Sequence, residues 1–448
     1  MGAAAVPADA RCMPARRQIA ALGGALLTFA ACSAATPATS TTTAPTTHET
    51  ATPTPSAGYG AWCWFADPRA VQHAGRTYAG WLDARGAVLV ADYDENGRRT
   101  RTTTVRRGLG ADDHNNPVLL VEPDGRLTVF YSRHDGRGGL MYRRTRRPRD
   151  IGAWGPERRL PGAGPRRGWA YPNPQRLAAE RRTFLFWRGL GWNPTFATRR
   201  DGGGWSQPRL LLRVPGQSSV ERPYIKFDGD GRDRIDFAFT PSHPSKYPTS
   251  IYYARYRHGA FSRADGTRIA RMQDLPLLPR EADTVYDASK TGVPAWVHDV
   301  GVDRRGRPVV VYALIQGPRR HRYVYATWNG RRWARHPIVA AGGTIVRTGT
   351  QPFYSGGISL DHADPRVVYL SRPVGRHHEV ERWSTGDRGA TWTHRAVTSG
   401  SAVDNLRPVA PRAHTRRGVQ LLWMRGNYPH YLHYRTRIAV AVAVAVKR

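Results

Sequence analysis

A hairpin pattern that recurs along the chain restricts the fold more than any other feature of the sequence. Each unit has an apolar run, a turn rich in Asp and Gly, a second apolar run, and a return segment rich in Tyr and Trp. Seven such hairpins, spaced by about 50–70 residues, span residues 77–93, 118–131, 175–187, 225–239, 300–312, 358–370 and 409–423. Repeats of this length are typical of propellers, whose blades each contain four antiparallel strands. We therefore predict an all-β fold, a seven-bladed β-propeller of four-stranded antiparallel blades.

Two short turns support this prediction. The segment STGDRGATW (384–392) resembles the Asp-box turn of sialidase-type propellers, and RDGGGW (200–205) is a degenerate copy of it. Such turns join outer strands, so they indicate the fold and not the chemistry. The alternation of Ala and Val over 438–446 predicts a last strand that closes the ring.

The first residues of the chain indicate export. Two arginines precede the apolar run 19–31, which is too short to span a membrane and is typical of a signal peptide. The run ends in FAAC (29–32), which resembles the cleavage box of bacterial lipoproteins. We therefore predict a signal peptide of lipoprotein type over 1–32, with a lipid anchor at Cys32. Ordinary cleavage and free secretion is the alternative.

The rest of the chain divides into a linker and one large domain. Residues 33–57 are rich in Thr, Pro and Ala with almost no charge, which predicts a disordered linker. Residues 58–448 then form the propeller, which we interpret as the catalytic domain. Two of the three cysteines belong to the leader, which leaves Cys63 alone and excludes a disulfide framework. We expect Cys63 to be a buried core thiol.

The charge of the chain indicates an anionic partner. Lys and Arg number 68 against 34 Asp and Glu, and the formal net charge is +34. An excess of this size favours binding to a polyanion. The arginines are scattered and no nucleic-acid-binding motif is present, so nucleic acid is not the expected partner. Because the leader indicates export, and because Arg suits carboxylate and sulfate, we expect an acidic polysaccharide.

The hairpin at 118–131 places two histidines at one of its ends. Its turn is PDG (123–125), and His114 and His134 each lie ten residues from Asp124. Residues equidistant from a hairpin turn face each other across the strand pair. Both imidazoles are therefore expected at the open end of this hairpin.

The next hairpin supplies two further side chains to the same edge. Aligning its YPNP segment with the HNNP segment of the first places Tyr171 in the position of His114. Tyr171 and Arg188 are symmetric about the turn, so Arg188 takes the position of His134. An imidazole pair, a phenol and a guanidinium are thus expected to meet at one rim of the ring.

These residue types favour lyase chemistry. A glycosidase needs two carboxylates flanking the bond, and neither hairpin supplies such a pair. An arginine offsets the charge of a uronate carboxylate, while a base removes the C5 proton and an acid protonates the leaving 4-O oxygen. Neutral His suits the base, and Tyr suits the acid or the base. Two alternatives are a sialidase-like or rhamnosidase-like hydrolase and a non-catalytic glycan-binding surface propeller.

Several segments resemble a known family. They are GAWCWFADPRAV (60–71), DDHNNP, FYSRH, YPNP with FWRG, RPYIKF with FAFTPSHP, and DNLRPV. Together they are similar to the BNR-repeat propeller family that includes ulvan lyases, over nearly the whole chain after Tyr59. The resemblance implies an enzyme that cleaves rhamnosyl-(1→4)-glucuronate bonds by β-elimination. The expected partner is then a glucuronate-containing acidic polysaccharide, and we expect the protein to be a monomer.

The resemblance also implies roles for individual residues. The matching positions make His114 and Tyr171 the acid/base pair, without deciding which of them takes the proton. They make Arg188 the neutraliser of the uronate carboxylate and give His134 a supporting role toward the substrate or the base.

Further residues are candidates for substrate or metal binding. Arg222 and Arg407 each precede a proline at the start of an inner strand, which directs them to the catalytic rim and indicates anion binding. No cofactor is required for the chemistry, but some relatives hold a structural metal, so the resemblance implies that Ca²⁺ or Zn²⁺ can be bound. The candidate ligands are His243, His298 and His321, but their wide spacing favours a structural role or substrate contact. We assign His243 to substrate binding.

Overall fold

The structure, a computed structural model, describes residues 59–162, 168–216 and 222–442. The predicted signal peptide and linker, 1–32 and 33–57, lie outside these residues. Within the described ranges, none of the helices has the length and apolar character that crossing a bilayer requires.

The described chain forms seven antiparallel β-sheets, one for each blade. Blade one contains β1 (Gly60–Ala61), β2 (Ala70–His73), β3 (Arg76–Asp83), β4 (Val88–Tyr93) and β5 (Arg99–Arg106). Blade two contains β6 (Val118–Val121), β7 (Leu127–Ser132), β8 (Leu140–Arg147), β9 (Asp150–Trp154) and β10 (Arg158–Arg159). Blade three contains β11 (Ala170–Leu177), β12 (Arg182–Arg188), β13 (Pro194–Arg200) and β14 (Arg209–Leu210).

The other four blades follow in chain order. Blade four contains β15 (Tyr224–Gly229), β16 (Arg234–Thr240), β17 (Ile251–Arg257), β18 (Ala260–Ser262), β19 (Arg268–Arg271) and β20 (Asp283–Tyr286). Blade five contains β21 (Ala295–Val302), β22 (Pro308–Ile315), β23 (His321–Trp328) and β24 (Trp333–Gly342). Blade six contains β25 (Ile358–Leu360), β26 (Val367–Val374), β27 (His377–Ser384) and β28 (Thr393–Ala396). Blade seven contains β29 (Asn405–Val409), β30 (Val419–His430) and β31 (His433–Val442).

The helical content of the described chain consists of short 3-10 turns. They are Asp113–Asn115, Leu190–Trp192, Met272–Asp274, Pro279–Glu281 and Ala288–Lys290.

The predicted seven-bladed, all-β architecture is confirmed. Blades three, five and six have four strands each, whereas three other blades carry additional short strands and blade seven has three within the described residues. The predicted hairpin at 77–93 corresponds to β3 and β4. In the other blades, the predicted hairpins are formed by the first two strands. The difference arises because β1 and β2 both pair with β3 on its inner side.

Burial along the strands follows their position within the blade. Strand β22 reads PVVVYALI, and every residue except Leu314 is buried, because apolar β-branched side chains on both faces meet neighbouring blades. The edge strand β5 reads RTRTTTVR, and only Val105 is buried. Charged and hydroxyl side chains on such an edge discourage pairing with another sheet.

The Asp-box turn lies where the sequence places it, between β27 and β28. The carboxylate of Asp387 accepts hydrogen bonds from the backbone N and the hydroxyl of Thr391, at 2.8 and 2.6 Å. The degenerate copy at 200–205 joins β13 to β14, which are likewise the third and fourth strands of their blade. Both turns are therefore structural, as predicted.

A segment between β1 and β2, residues 62–69, fills the space between the inner strands of the blades. We call it the central segment. All of its residues except Pro68 are buried, and Cys63 is a free buried thiol as expected. Its backbone carbonyls and N–H groups, together with the Trp64 indole, hydrogen-bond to residues of blades two, three, four, five and seven: Asn116, Asn173, Lys226, Val297 and Arg407. The central segment thus ties together blades that are distant in sequence.

Candidate active site

The two histidines predicted to meet do so at the open end of the β6–β7 hairpin. Val118 pairs with Phe130 in this hairpin, and continuing the register by four residues brings His114 opposite His134. Their rings are stacked, with centroids 4.2 Å apart and an interplanar angle of 15°.

Asp112 holds both imidazoles. Its Oδ1 lies 2.6 Å from Nδ1 of His114, and its Oδ2 lies 3.0 Å from Nδ1 of His134. Oδ1 also accepts from the backbone N of His114 at 3.0 Å, which caps the 3-10 turn that carries this histidine. Burial alone would raise the pKa of Asp112, but the two imidazoles outweigh it and hold that pKa far below the usual range. Asp112 is therefore an anion that orients both rings.

The two histidines differ in exposure and in charge. His114 is 3% exposed; burial opposes its protonation, but the acidic surroundings, in which the Asp112 carboxylate is ionised at neutral pH, outweigh burial and raise its pKa well above the usual value. The His134 side chain is 28% exposed, and burial together with the charge of His114 lowers its pKa. At neutral pH, His114 is therefore charged and His134 neutral. Because Nδ1–H of His134 donates to Asp112, its Nε2 carries the free lone pair.

Tyr171 reaches this lone pair from a bulge in blade three. Its hydroxyl lies 3.2 Å from Nε2 of His134, and its backbone adopts φ = +61°. The symmetry of the hairpin predicted that Arg188 pairs with Tyr171. The register of β11 and β12 shifts at this point, however, so that Arg188 pairs with Ala170. The next residue, Pro172, has no N–H to donate to a ladder, which suits it to a bulge. Burial raises the pKa of Tyr171 well above its usual value, so the phenol is protonated at neutral pH.

Arg188 contributes a cation to the same group. Its guanidinium carbon lies 4.4 Å from the ring centroid of Tyr224 and 5.5 Å from that of Trp192. Its Nε is buried and has no hydrogen-bond partner among the described residues. Arg188 also forms no ion pair with any of these residues. Its charge contributes to the lowered pKa of His134. An arginine held by aromatic rings and without a carboxylate partner is available to an anionic ligand.

Comparison with known proteins identifies the family. The profile of the BNR repeat-containing family matches residues 76–341, more than half of the chain. The chain belongs to this family. No curated protein matches the sequence.

Solved structures show the same fold at low sequence identity. An ulvan lyase of polysaccharide lyase family PL25, bound to -[GlcA(1-4)Rha3S]-, has a TM-score of 0.66 and 16% identity, over 86% of this chain and 94% of the other. The polysaccharide lyase Uly1 has a TM-score of 0.52 and 12% identity, over 84% and 90%. The BP39L lectin from Burkholderia pseudomallei has a TM-score of 0.51 and 12% identity, over 82% and 92%. These similarities establish the propeller fold.

Two of the predicted substrate-binding residues lie close to Arg188 or to the turn after it. The His243 ring lies 5.7 Å from that of Tyr224, and burial together with the charge of Arg188 lowers its pKa to about 3, so this imidazole is neutral. Arg222 donates from Nε to the carbonyl of Gly191 at 2.9 Å, which places it beside the turn that follows β12.

Arg407 does not lie at the surface where substrate binding was predicted. It is 1% exposed, and its NH1 lies 2.5 Å from Oδ2 of Asp113 and 2.5 Å from the carbonyl of Trp62. Its NH2 donates to the Tyr428 hydroxyl at 2.9 Å. The bulge at φ = +50° turns this side chain into the interior, where its carboxylate partner lies beside the central segment. Arg407 is thus a structural residue that supports the turn carrying His114.

Three aromatic residues of the site were not predicted as site residues. The Tyr354 hydroxyl lies 3.2 Å from Nε2 of His114, Tyr431 packs edge-on against the same ring at 4.7 Å, and Tyr224 lies under Arg188. They come from blades six, seven and four. No local pattern could connect them with the hairpins of blades two and three.

The histidines considered as metal ligands are not gathered at one point. His298 stacks on Trp64 at 5.1 Å, and His321 hydrogen-bonds to Ser355 and to the Pro352 carbonyl. Among the described residues, Asp112, His114 and His134 form a group whose potential ligand atoms lie within 4.8 Å of one another. A metal bound there would replace the hydrogen bonds from Asp112 to the two imidazoles. A structural metal stays a prediction.

Proposed function

We propose that this protein is an exported polysaccharide lyase that cleaves rhamnosyl-glucuronate-type bonds at O4 of glucuronate by β-elimination, as an ulvan lyase does. The observation that carries the proposal is the contact between a neutral, solvent-accessible imidazole, His134, and the protonated phenol of Tyr171, beside the unpaired cation of Arg188. The fold that the chain shares with ulvan lyases supports the same function.

The elimination uses these three side chains. Arg188 binds the C6 carboxylate of the uronate and offsets the charge that develops when C5 loses its proton. His134 takes that proton on Nε2. The electron pair of the C5–H bond forms the C4–C5 double bond as the C4–O4 bond breaks, and Tyr171 donates its proton to the departing O4.

The hydrogen bond between the two groups restores the enzyme. After the elimination, Nε2 of His134 holds a proton and the Tyr171 oxygen has lost one. The proton returns along the 3.2 Å contact between them. Asp112 stabilises the transient imidazolium, as the aspartate of a catalytic triad does.

This assignment gives His134 the role of base that the family resemblance implied for His114 or Tyr171. His114 is enclosed and, with both ring nitrogens protonated, has neither the exposure nor the lone pair that a base requires. We propose that His114 is a positioning residue whose charge keeps His134 neutral.

Hydrolysis is less compatible with the carboxylates of the site. A glycosidase uses two carboxyl groups that flank the bond. Within the described residues beside the imidazoles, Asp112 is bound to both rings and Asp113 is buried against Arg407. Neither is available to a glycosidic bond.

An assay on acidic polysaccharides tests the proposal. Incubation with ulvan is expected to produce the ultraviolet absorbance of an unsaturated uronyl group. New reducing ends without that absorbance would indicate a hydrolase, and retention by ulvan without any product would indicate a lectin. Either result contradicts the lyase.

The pH profile of the reaction tests the separate roles of the two histidines. Because the pKa of His134 is lowered from 6.5, kcat/KM should stay level as the pH falls to 6.5 and decrease only below it. Replacing His114→Gln removes the neighbouring charge, so the pKa of His134 rises and the acid limb moves to higher pH. Tyr354→Phe, which keeps His114, should leave the limb in place. An unchanged limb in His114→Gln would exclude His134 as the base.

We also propose that the mature protein is held at the outer face of the cell membrane by a lipid on Cys32 and acts as a monomer. The leader sequence supports this localisation. Labelled palmitate should be incorporated into the protein and lost in Cys32→Ala. Unlabelled protein in the medium would indicate free secretion instead.

A further inference from the structure

A cavity of about 380 Å³ lies between the tip of the β30–β31 hairpin and the loops of blades one and two. Ala84 and Ala111 line the cavity, and Ala111 directly precedes the aspartate that holds the imidazoles. The hairpin residues Asn427, Leu432 and Arg435 also line it. The volume is within the range of sites that bind small molecules.

Tyr431, in the turn of the β30–β31 hairpin, connects this cavity with the imidazole pair along the chain. Its ring is 4.7 Å from that of His114 and 6.3 Å from that of His134, edge-on to both. Its carbonyl accepts a hydrogen bond from the backbone N of Asp113 at 3.0 Å. The next residue, Leu432, lines the cavity. A residue that contacts the imidazoles and a residue that lines the cavity are thus adjacent in the tip of this hairpin.

The cavity combines apolar and cationic groups. Leu432 is 40% exposed, which is unusual for a large apolar side chain in this structure. Arg435 and His433 are exposed, and Arg435 forms no ion pair with the described residues. Asn427 pairs with Arg435 across the hairpin and adds an amide. An apolar surface bordered by a free guanidinium matches a pyranose ring that carries a sulfate or a carboxylate.

We propose that this cavity is a second sugar subsite, which binds an anionic residue neighbouring the uronate that reacts in the same polysaccharide chain. This inference rests on the proposed function, because the register of the sugar chain is set by the uronate at Arg188 and His134. Arg435 binds the sulfate or carboxylate of the neighbouring sugar, and Leu432 contacts its apolar face.

Binding measurements on a non-cleaving background test the subsite. The apparent Kd for ulvan is measured by affinity electrophoresis in three proteins that all carry Tyr171→Phe. The first has no further substitution, the second also carries Arg435→Ala, and the third carries both His433→Ala and Arg435→Ala. We expect Arg435→Ala to weaken binding about tenfold, as loss of a charged hydrogen bond does. Arg437→Ala removes an exposed arginine two residues along β31 that does not line the cavity, so it is the matched control and should change Kd less than about twofold.

The sugar substituent is identified by chemically modified ulvan. If Arg435 binds a sulfate, desulfation of ulvan should abolish the difference in Kd between the Arg435→Ala protein and its Tyr171→Phe parent. If Arg435 binds a carboxylate, reduction of the carboxyl groups should abolish that difference instead. An unchanged Kd in the Arg435 variants, or an equal loss in Arg437→Ala, would overturn the subsite. Absence of unsaturated product from the wild-type protein, with the Arg435 effect intact, would overturn the lyase and leave a glycan-binding cavity.

Discussion

Tyr171→Phe is expected to lower kcat by about 10² to 10⁴-fold, the contribution typical of a positioned acid or base. The substitution keeps the ring and the backbone bulge and removes only the hydroxyl that lies 3.2 Å from Nε2 of His134. Without this hydroxyl, the leaving O4 has no proton donor from the enzyme and His134 has no group to which it can return its proton. The rate of unsaturated product formation at saturating ulvan measures the effect.

Tyr354→Phe is the matched control for this experiment. Tyr354 is also a buried tyrosine whose hydroxyl lies 3.2 Å from an imidazole Nε2, but that imidazole is His114. We expect its kcat to fall by less than about tenfold, since it touches no reacting atom. Equal losses in the two variants, or a Tyr171→Phe enzyme within tenfold of wild type, would contradict the role given to Tyr171.

Arg407→Ala is expected to lower the free energy of unfolding by about 3–5 kcal/mol, the cost of removing one partner from a buried ion pair. The substitution removes the guanidinium that contacts Oδ2 of the fully buried Asp113 and leaves the Trp62 carbonyl without this donor. It also removes the guanidinium that lies 5.2 Å from the Trp64 ring and 4.6 Å from the Tyr428 ring. Urea unfolding followed by tryptophan fluorescence measures the change.

Arg437→Ala provides the comparison for stability, because Arg437 is exposed on strand β31 of the same blade. Its effect should stay within about 0.5 kcal/mol, as for most surface positions. Adding Asp113→Asn to Arg407→Ala should recover part of the loss, since the amide carries no charge to be buried. A loss below about 1 kcal/mol for Arg407→Ala would show that the ion pair contributes little to stability.

The parts of the fold that depend on local turns could be predicted from the sequence. The PDG turn of the second blade determines its register, and counting outward from that turn brought His114 and His134 together correctly. The same holds for the Asp-box, whose hydrogen bonds join residues only four apart. Turns that are stabilised by hydrogen bonds between nearby residues can therefore be recognised from their sequence motifs.

Predictions of strand pairing and side-chain direction were wrong where a bulge interrupts the strand. The same procedure placed Arg188 opposite Tyr171, but the bulge shifts the partner of Arg188 to Ala170. The position of Arg407 before a proline at the start of an inner strand predicted that it lies at the rim, whereas the bulge in β29 turns the side chain inward. A proline follows the bulged residue in both strands, yet a proline indicates where a ladder is broken and not the direction in which the side chain turns.

Contacts between distant blades were the least accessible to sequence reasoning. Tyr354 and Tyr431 lie 240 and more than 300 residues from His114 along the chain, and both contact its ring. Their positions depend on the closure of the whole ring. A hairpin pattern carries no information about which aromatic residue completes a site from the other side.

The central segment has a consequence for the order in which the molecule assembles. It is synthesised before any complete blade, yet the carbonyl that its Trp64 indole contacts is 233 residues away, and Arg407 is 345 residues from Trp62. A nascent chain that has not reached the last blade therefore holds Trp62 without its hydrogen-bond partners Arg407 and Met424. The surroundings of this segment are therefore completed only after the last blade has been synthesised, so we expect a prematurely terminated chain to expose Trp62 and to be susceptible to proteolysis.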